Sequence, residues 1–324
     1  MKPSQAGMLA LKLVVSGALL WFVFRKVDLG PLAMRLGNVQ VGWAAVALAV
    51  LLGQLLLTGV RWYFVGQLVG AGIRPGLATR LILVGQFFNQ VLPSSVGGDG
   101  VRAWLLSREG ISIRHALVSV ICDRAAALVV LSTIVACTLP IVIASGDAAI
   151  PSAWPLAIAV DALTVVGLLF LFLWGEAFSA WLISLPAARP LGVVIRDLRR
   201  VLLSSIKSLW VVGLTVVVQA MVVMSIYFFA LALGVKFGMV HLLMLPLIML
   251  VSSLPLSFAG WGLRESTMVT GLGFAGISAA DALAVSVSFG IAQLLVGLPG
   301  VVIAIMSKHK YNKPTEPAAI RPVQ

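Results

Sequence analysis

The chain has 324 residues, of which 60 % are hydrophobic and only 10 % charged, with a formal net charge of +12. A soluble chain carries about 25 % charged residues, so the composition excludes a soluble globular domain and predicts an all-α polytopic membrane protein. The basic residues fall in short clusters between apolar runs and form no continuous basic face. That excludes a nucleic-acid partner and points to membrane topology and anionic headgroups.

In chain order, the basic start (Lys2, Lys12) leads into an apolar stretch of about 8–24. It closes on Trp21-Phe22-Val23-Phe24-Arg25 and has no small-residue cleavage site, so it predicts a retained span. A full crossing needs about 20 mostly apolar residues. Further spans are expected at about 41–60, 115–144, 155–174, 209–233 and 281–306, making about six. Two other apolar stretches, about 77–92 and 239–258, each run into a Pro/Gly/Ser-rich break and then a short helix, around 98–109 and 262–275. Neither half is long enough to cross comfortably, so each pair predicts a re-entrant helical hairpin that leaves on the side it entered.

Lys and Arg orient this plan. Segment 61–114 holds Arg61, Arg74, Arg80, Arg102, Arg108 and Arg114, and segment 175–208 holds Arg189, Arg196, Arg199, Arg200 and Lys207. Segment 145–154 has neither residue type, and 234–280 has only Lys236 and Arg264. The alternation predicts a multi-pass cell (inner) membrane protein with both termini cytoplasmic. Arg25, Lys26 and Arg35 in the first external loop run against it. Residues 1–307 are expected to form one transmembrane domain, with repeat one about 8–144 and repeat two about 155–306; a polar tail, 308–324, is expected to be a disordered cytoplasmic segment. Within 175–208 an amphipathic helix is expected over about 192–207. It sets Arg196, Arg199, Arg200 and Lys207 opposite Leu198, Val201, Leu202 and Ile206, and would lie in the interface.

The repeat is visible in the breaks. Leu92-Pro-Ser-Ser-Val-Gly-Gly-Asp-Gly-Val-Arg102 aligns without gaps to Leu254-Pro-Leu-Ser-Phe-Ala-Gly-Trp-Gly-Leu-Arg264, identical at six of eleven positions. Gly110-Ile111-Ser112 then matches Gly276-Ile277-Ser278 after a four-residue shift. Each motif follows two spans and precedes one, and an odd number of crossings per unit inverts the second copy. Inverted repeats with broken helices mark a transporter's midplane site, because backbone groups freed by Pro and Gly need a protected or wet cavity. The helix starts near Gly98 and Gly262 would aim partial positive charge into one shared chamber, beside Arg102 and Arg264, and so suit an anionic headgroup. The alternative is a pair of tight structural turns.

Charges inside spans are costly, which makes Asp123 and Arg124 candidates about 12 Å into their helix. Asp123 is expected to face the cavity and pair with Arg102 or Arg124. Asp99 and Glu265 would exchange protons, accept a cationic group or pin the neighbouring arginines. Asn89 is placed in the cavity, with Gln86 and Gln90 on a neighbouring face. Asp161 and Asp281 are read as solvated end residues, and Gln54, Gln219 and Gln293 as bonding across helices. Trp261, inside the second break, would line the cavity. Cys122 and Cys137 are too far apart on one helix to pair, the three histidines are scattered, and neither a metal nor a cofactor is expected.

Together, Asn89-x-x-Leu92-Pro93-x-x-x-Gly97-Gly98-Asp99-x-x-Arg102, then Asp123-Arg124, then Pro255 followed by Gly260-x-Gly262-x-Arg264-Glu265 resemble the lysylphosphatidylglycerol synthetase/flippase membrane-domain family. The likeness covers about 10–306. It implies a lipid flippase or translocase, without the synthetase domain, acting on an anionic, aminoacylated or polyprenyl-phosphate-type lipid. The expected partners are membrane lipids, with a homo-oligomer or a lipid-synthesis enzyme as further partners. Two alternatives are an integral membrane enzyme acting on a lipid phosphate or glycosyl carrier, with Asp99 and Asp123 as acid and base, and a structural partner in a lipid-modifying complex. No catalytic motif was found, so a transporter rather than an enzyme is expected.

Overall fold

The computed structural model of the protein describes residues 29–92, 97–145, 154–254 and 261–311, together with Gly17 and Trp21. Among the described residues are twelve helices. They are α1 (Leu29–Gly37), α2 (Val41–Leu68), α3 (Pro75–Val91), α4 (Gly97–Arg108), α5 (Ile113–Ser145) and α6 (Trp154–Leu173), followed by α7 (Gly175–Ser184), α8 (Arg189–Leu203), α9 (Ile206–Ala232), α10 (Met239–Ser252), α11 (Leu263–Phe274) and α12 (Ala279–Tyr311). The protein is an all-helical, multi-pass membrane protein. α2, α5, α9 and α12 are long and apolar enough to cross a membrane, and α6 with α7, bent 73° at their junction, make a fifth crossing if they act as one broken span. The expected span at 8–24 lies outside the described residues apart from Gly17 and Trp21, and so do most of the tail and the side chain of Asp161.

α3 and α10 have 17 and 14 residues. At about 1.5 Å per residue both fall short of a hydrocarbon core of about 30 Å. Each instead packs against the 12-residue helix that follows it. The mouths of both hairpins are tied. Arg80, near the start of α3, bonds Glu109 at the end of α4 (Nη2 to Oε1, 2.8 Å). His241 of α10 lies with its Nε2 3.1 Å from the Ala275 carbonyl oxygen at the end of α11. After each hairpin the chain turns through a left-handed glycine, Gly110 at φ 91° and Gly276 at φ 86°, a conformation open to Gly without a Cβ penalty.

α2 and α9 run antiparallel along each other. The Gln40 amide donates to the Ala232 carbonyl (2.8 Å). Trp43 stacks on Phe228 near that end and Phe64 on Trp210 near the other. The first hairpin follows the C-terminal end of α2 and the second follows the C-terminal end of α9, so their mouths open on opposite faces. Exchanging the halves maps each contact onto another. α3 against α12 becomes α10 against α5, α2 against α3 becomes α9 against α10, and α4 against α5 becomes α11 against α12. Small residues permit this packing, since lipid provides no hydrophobic drive between helices. A Cβ on Gly59 would lie 2.6 Å from Thr79 Cα, and one on Gly297 would lie 3.1 Å from Phe87 Cα.

Three boundaries differ from expectation. α2 continues to Leu68, so Arg61 is no loop residue. It is a buried helical one, because Trp62 and Val65 carry the apolar stripe onward and the chain turns only at Gly70. The amphipathic helix is Arg189–Leu203 rather than 192–207. Ser204 and Ser205 break it, and both their amides donate to Ser208 Oγ (3.3 Å), which moves Ile206 and Lys207 into α9. Its buried edge includes Asp197, held against Arg196. α12 runs past residue 307 to Tyr311.

Candidate functional site

The first hairpin places α4 hard against α3. A Cβ on Gly98 would overlap the Gly85 carbonyl oxygen and the Asn89 side chain, and one on Gly97 would lie 2.7 Å from Leu92 Cβ. Asn89 Oδ1 accepts the Gly98 amide (2.8 Å), so the start of α4 is capped by α3. A Cβ on Gly85 would lie 2.7 Å from Arg102 Cγ, which shows that the arginine stem lies across that glycine. Pro93 lies outside the described residues.

This packing assembles a chain of alternating charge. Arg124 Nε donates to Asp99 Oδ2 (2.5 Å), and Arg102 Nη2 donates to Asp99 Oδ1 (2.7 Å). Arg102 Nη1 is 3.6 Å from Asp123 Oδ2, whose other oxygen accepts Arg61 Nε at 3.0 Å. The Arg102 guanidinium also lies over Trp62, 4.6 Å from the ring centroid. Four of the five side chains are buried, and Arg124 is 49 % exposed. Three arginines against two aspartates leave a net charge of +1. Burying ion pairs is expensive and an unbalanced set is more so, so the surplus favours an incoming anion. The cluster faces a cavity of about 170 Å³. Thr58, Gln54, Gln86 and Asn89 share that lining with Gln219 of α9.

The second hairpin keeps the arginine and changes its setting. Gly262 (φ 88°) begins α11, and Glu265 Oε2 accepts its amide at 2.7 Å. Glu265 Oε1 accepts Arg264 Nε (3.0 Å), Arg264 Nη2 (2.6 Å) and the Ser286 hydroxyl (3.3 Å). Arg264 lies over Trp261 and Phe289, at 4.8 and 5.9 Å. This pair is buried and neutral. Neither residue lines this cavity, and no described residue of the second hairpin does; its walls are α2, α3, α4, α5 and α9. Trp261 holds Arg264 rather than lining that cavity. Pro255 and Gly260 lie outside the described residues. The first hairpin meets the closing helix of the second repeat at α3 and α12, where Gln90 Nε2 donates to Gln293 Oε1 (2.8 Å).

The structure therefore brings together Asn89, Gly97, Gly98, Asp99, Arg102, Asp123 and Arg124, and sets Gly262, Arg264 and Glu265 apart. Asp123 takes Arg61 as its closest partner, and Arg124 turns to Asp99. Arg61 and Trp62 were missed because an arginine directly after an apolar run of span length, 41–60, looks like a loop residue; the apolar stripe continuing to Val65 was the available signal. Gln86 faces the cavity with Asn89, three residues on and thus on the same helix face. Gln54 bonds Thr58 within its own helix (3.1 Å) rather than across helices. Asp281 is bound by Arg35 (2.8 Å) rather than simply solvated.

No curated protein and no solved structure matched the chain. Residues 9–300 match the family described as the lysylphosphatidylglycerol synthase TM region, and the chain belongs to that family.

Proposed function

We propose that the protein moves a lipid with an anionic headgroup, of the aminoacylated or polyprenyl-phosphate type, from one leaflet to the other. One observation carries the reading: a buried charge chain with a surplus of +1 faces a cavity at the tip of a broken, re-entrant hairpin. At about 30 Å³ per water, the cavity's 170 Å³ equals roughly six waters, which suits a headgroup whose tails stay in the bilayer. Membership of a family described by a lipid synthase's membrane region supports a role on membrane lipid.

In this reading Arg124, half exposed, meets the phosphate first. Arg102 and Arg61 then hold it, while Asp99 and Asp123 keep the guanidiniums in place and balance them once the lipid leaves. Charge-assisted bonds from arginine suit a phosphodiester and would not select a neutral headgroup. Opposed hairpin mouths give each leaflet its own approach. The clustering of basic residues on the face shared by the first hairpin's mouth and α8 orients that face, with both termini, to the cytoplasm of a cell membrane.

Labelled lipids in proteoliposomes test this. Translocation of an anionic lipid should fall at least about tenfold in Asp99→Asn, Asp123→Asn and Arg124→Gln, each decade being ~1.4 kcal/mol. If all four proteins move every lipid equally, the site is misassigned. Chemically altered lipid in place of redistributed lipid would favour an enzyme.

A further inference from the structure

α7 and α8 form a second, outlying polar feature. Their four-residue connection folds α8 back on α7, and a Cβ on Gly192 would lie 2.8 Å from the Ser179 carbonyl oxygen, so the two helices cross closely. Between them lies a cavity of about 490 Å³ bordered by Arg196, Arg199, Arg200, Glu176 and Leu203. The three arginines face two carboxylates. Arg199 Nη1 binds Glu176 Oε2 (2.5 Å), while Asp197 takes Arg196 at 3.2 Å and Arg200 only at 4.0 Å. A positive charge is again left over. Arg196 and Arg200 are half exposed, and Arg199 Nε is buried without an acceptor.

Beside this polar cavity runs an apolar groove of about 370 Å³ between α5, α6, α8 and α9, lined by Val129, Thr133, Leu168, Phe172, Val212 and Val216. Leu203 borders both spaces. Arg199 bridges them too, since its Nη2 reaches the Phe172 carbonyl oxygen at 3.4 Å. Exposed Trp174 and Trp181, two turns apart at the start of α7 and within it, have the character of interfacial anchors. A cationic recess that opens into a hydrocarbon groove at interface depth matches one class of ligand, a molecule with a phosphate head and an acyl tail.

We propose that this site holds one resident anionic phospholipid, separate from the central cavity. Its phosphodiester lies among Arg196, Arg199 and Arg200, and an acyl chain lies in the groove along Thr133 and Val216. A free phosphate would use only the recess, and a neutral annular lipid only the groove.

Native mass spectrometry of the detergent-purified protein, after exchange against defined lipids, tests this. Wild type should retain phosphatidylglycerol at least about tenfold better than phosphatidylcholine with the same chains, and Arg196→Gln/Arg200→Gln should lose that preference. Val216→Trp should reduce retention by blocking the groove. If that variant misfolds, short-chain phosphatidylglycerol on the wild-type protein makes the same test, and its retention must fall. Arg114→Gln, a change at an exposed arginine outside both cavities, should retain phosphatidylglycerol as wild type does. Equal retention of the two lipids, no effect of the Arg196 and Arg200 changes, competition by glycerophosphate as strong as by the lipid, or equal loss in Arg114→Gln would each overturn the proposal.

Discussion

The two re-entrant hairpins share an arrangement of helices and differ in chemistry. Both place a short helix on a broken one, close their mouths with a polar contact, and present an arginine at aligned positions, Arg102 and Arg264. The partners of those arginines are not aligned. Asp99 falls opposite Trp261 and Glu265 opposite Ala103; with Gly110 set on Gly276, Asp123 falls on Phe289 and Arg124 on Gly290. Duplicated geometry supplies the scaffold. One copy is charged and borders a cavity, and the other is a buried, neutral pair.

The contrast can be broken most sharply at Glu265. Glu265→Gln would leave Arg264 buried without an anion, at an expected loss of about 3–5 kcal/mol in unfolding experiments in detergent. A loss below about 1 kcal/mol would mean that water reaches the second site and the contrast is false. Asp99→Asn should cost less, about 1–3 kcal/mol, because the cavity can solvate Arg124, yet it should be the change that stops transport. If Asp99→Asn is the more destabilising of the two, the roles of the hairpins are reversed. A smaller effect sharpens the comparison at the backbone. Gly100 and Gly262 are aligned, but Gly100 is an ordinary helical residue with open space around it, whereas Gly262 has φ 88°. Gly262→Ala should therefore cost about 1–2 kcal/mol, while Gly100→Ala should stabilise by about 0.5–1 kcal/mol; melting curves of the two variants read this directly.

Much of this architecture was legible in the sequence. Span lengths follow from apolar runs, and the matched Leu92–Arg102 and Leu254–Arg264 segments expose both hairpins and their inversion. The partners within the site were harder to read, for physical reasons. Asp99 and Arg124 meet only because Gly98 lets α4 sink onto α3, a distance that no local pattern encodes. Arg61 was hidden by its place just after an apolar run of span length, where the positive-inside rule explains an arginine without any burial. Matched motifs reveal the paired arrangement of helices, but side chains at aligned positions differ, so the partners of Arg102 and Arg264 could not be read from the repeat.

One contact pattern bears on motion. α12 of the second repeat lies so close to α3 that a Cβ on Gly300 would strike the Leu83 carbonyl group, and α5 of the first repeat packs on α10 in the same way. Each hairpin is thus clasped by the closing helix of the opposite half. The two repeats are therefore interlocked rather than side by side, and rocking one as a rigid block against the other would break both contacts. Each hairpin is tied to the closing helix of its own half as well, α4 to α5 through Asp99 and Arg124 and α11 to α12 through Glu265 and Ser286, so the four closing contacts lock both halves into one body.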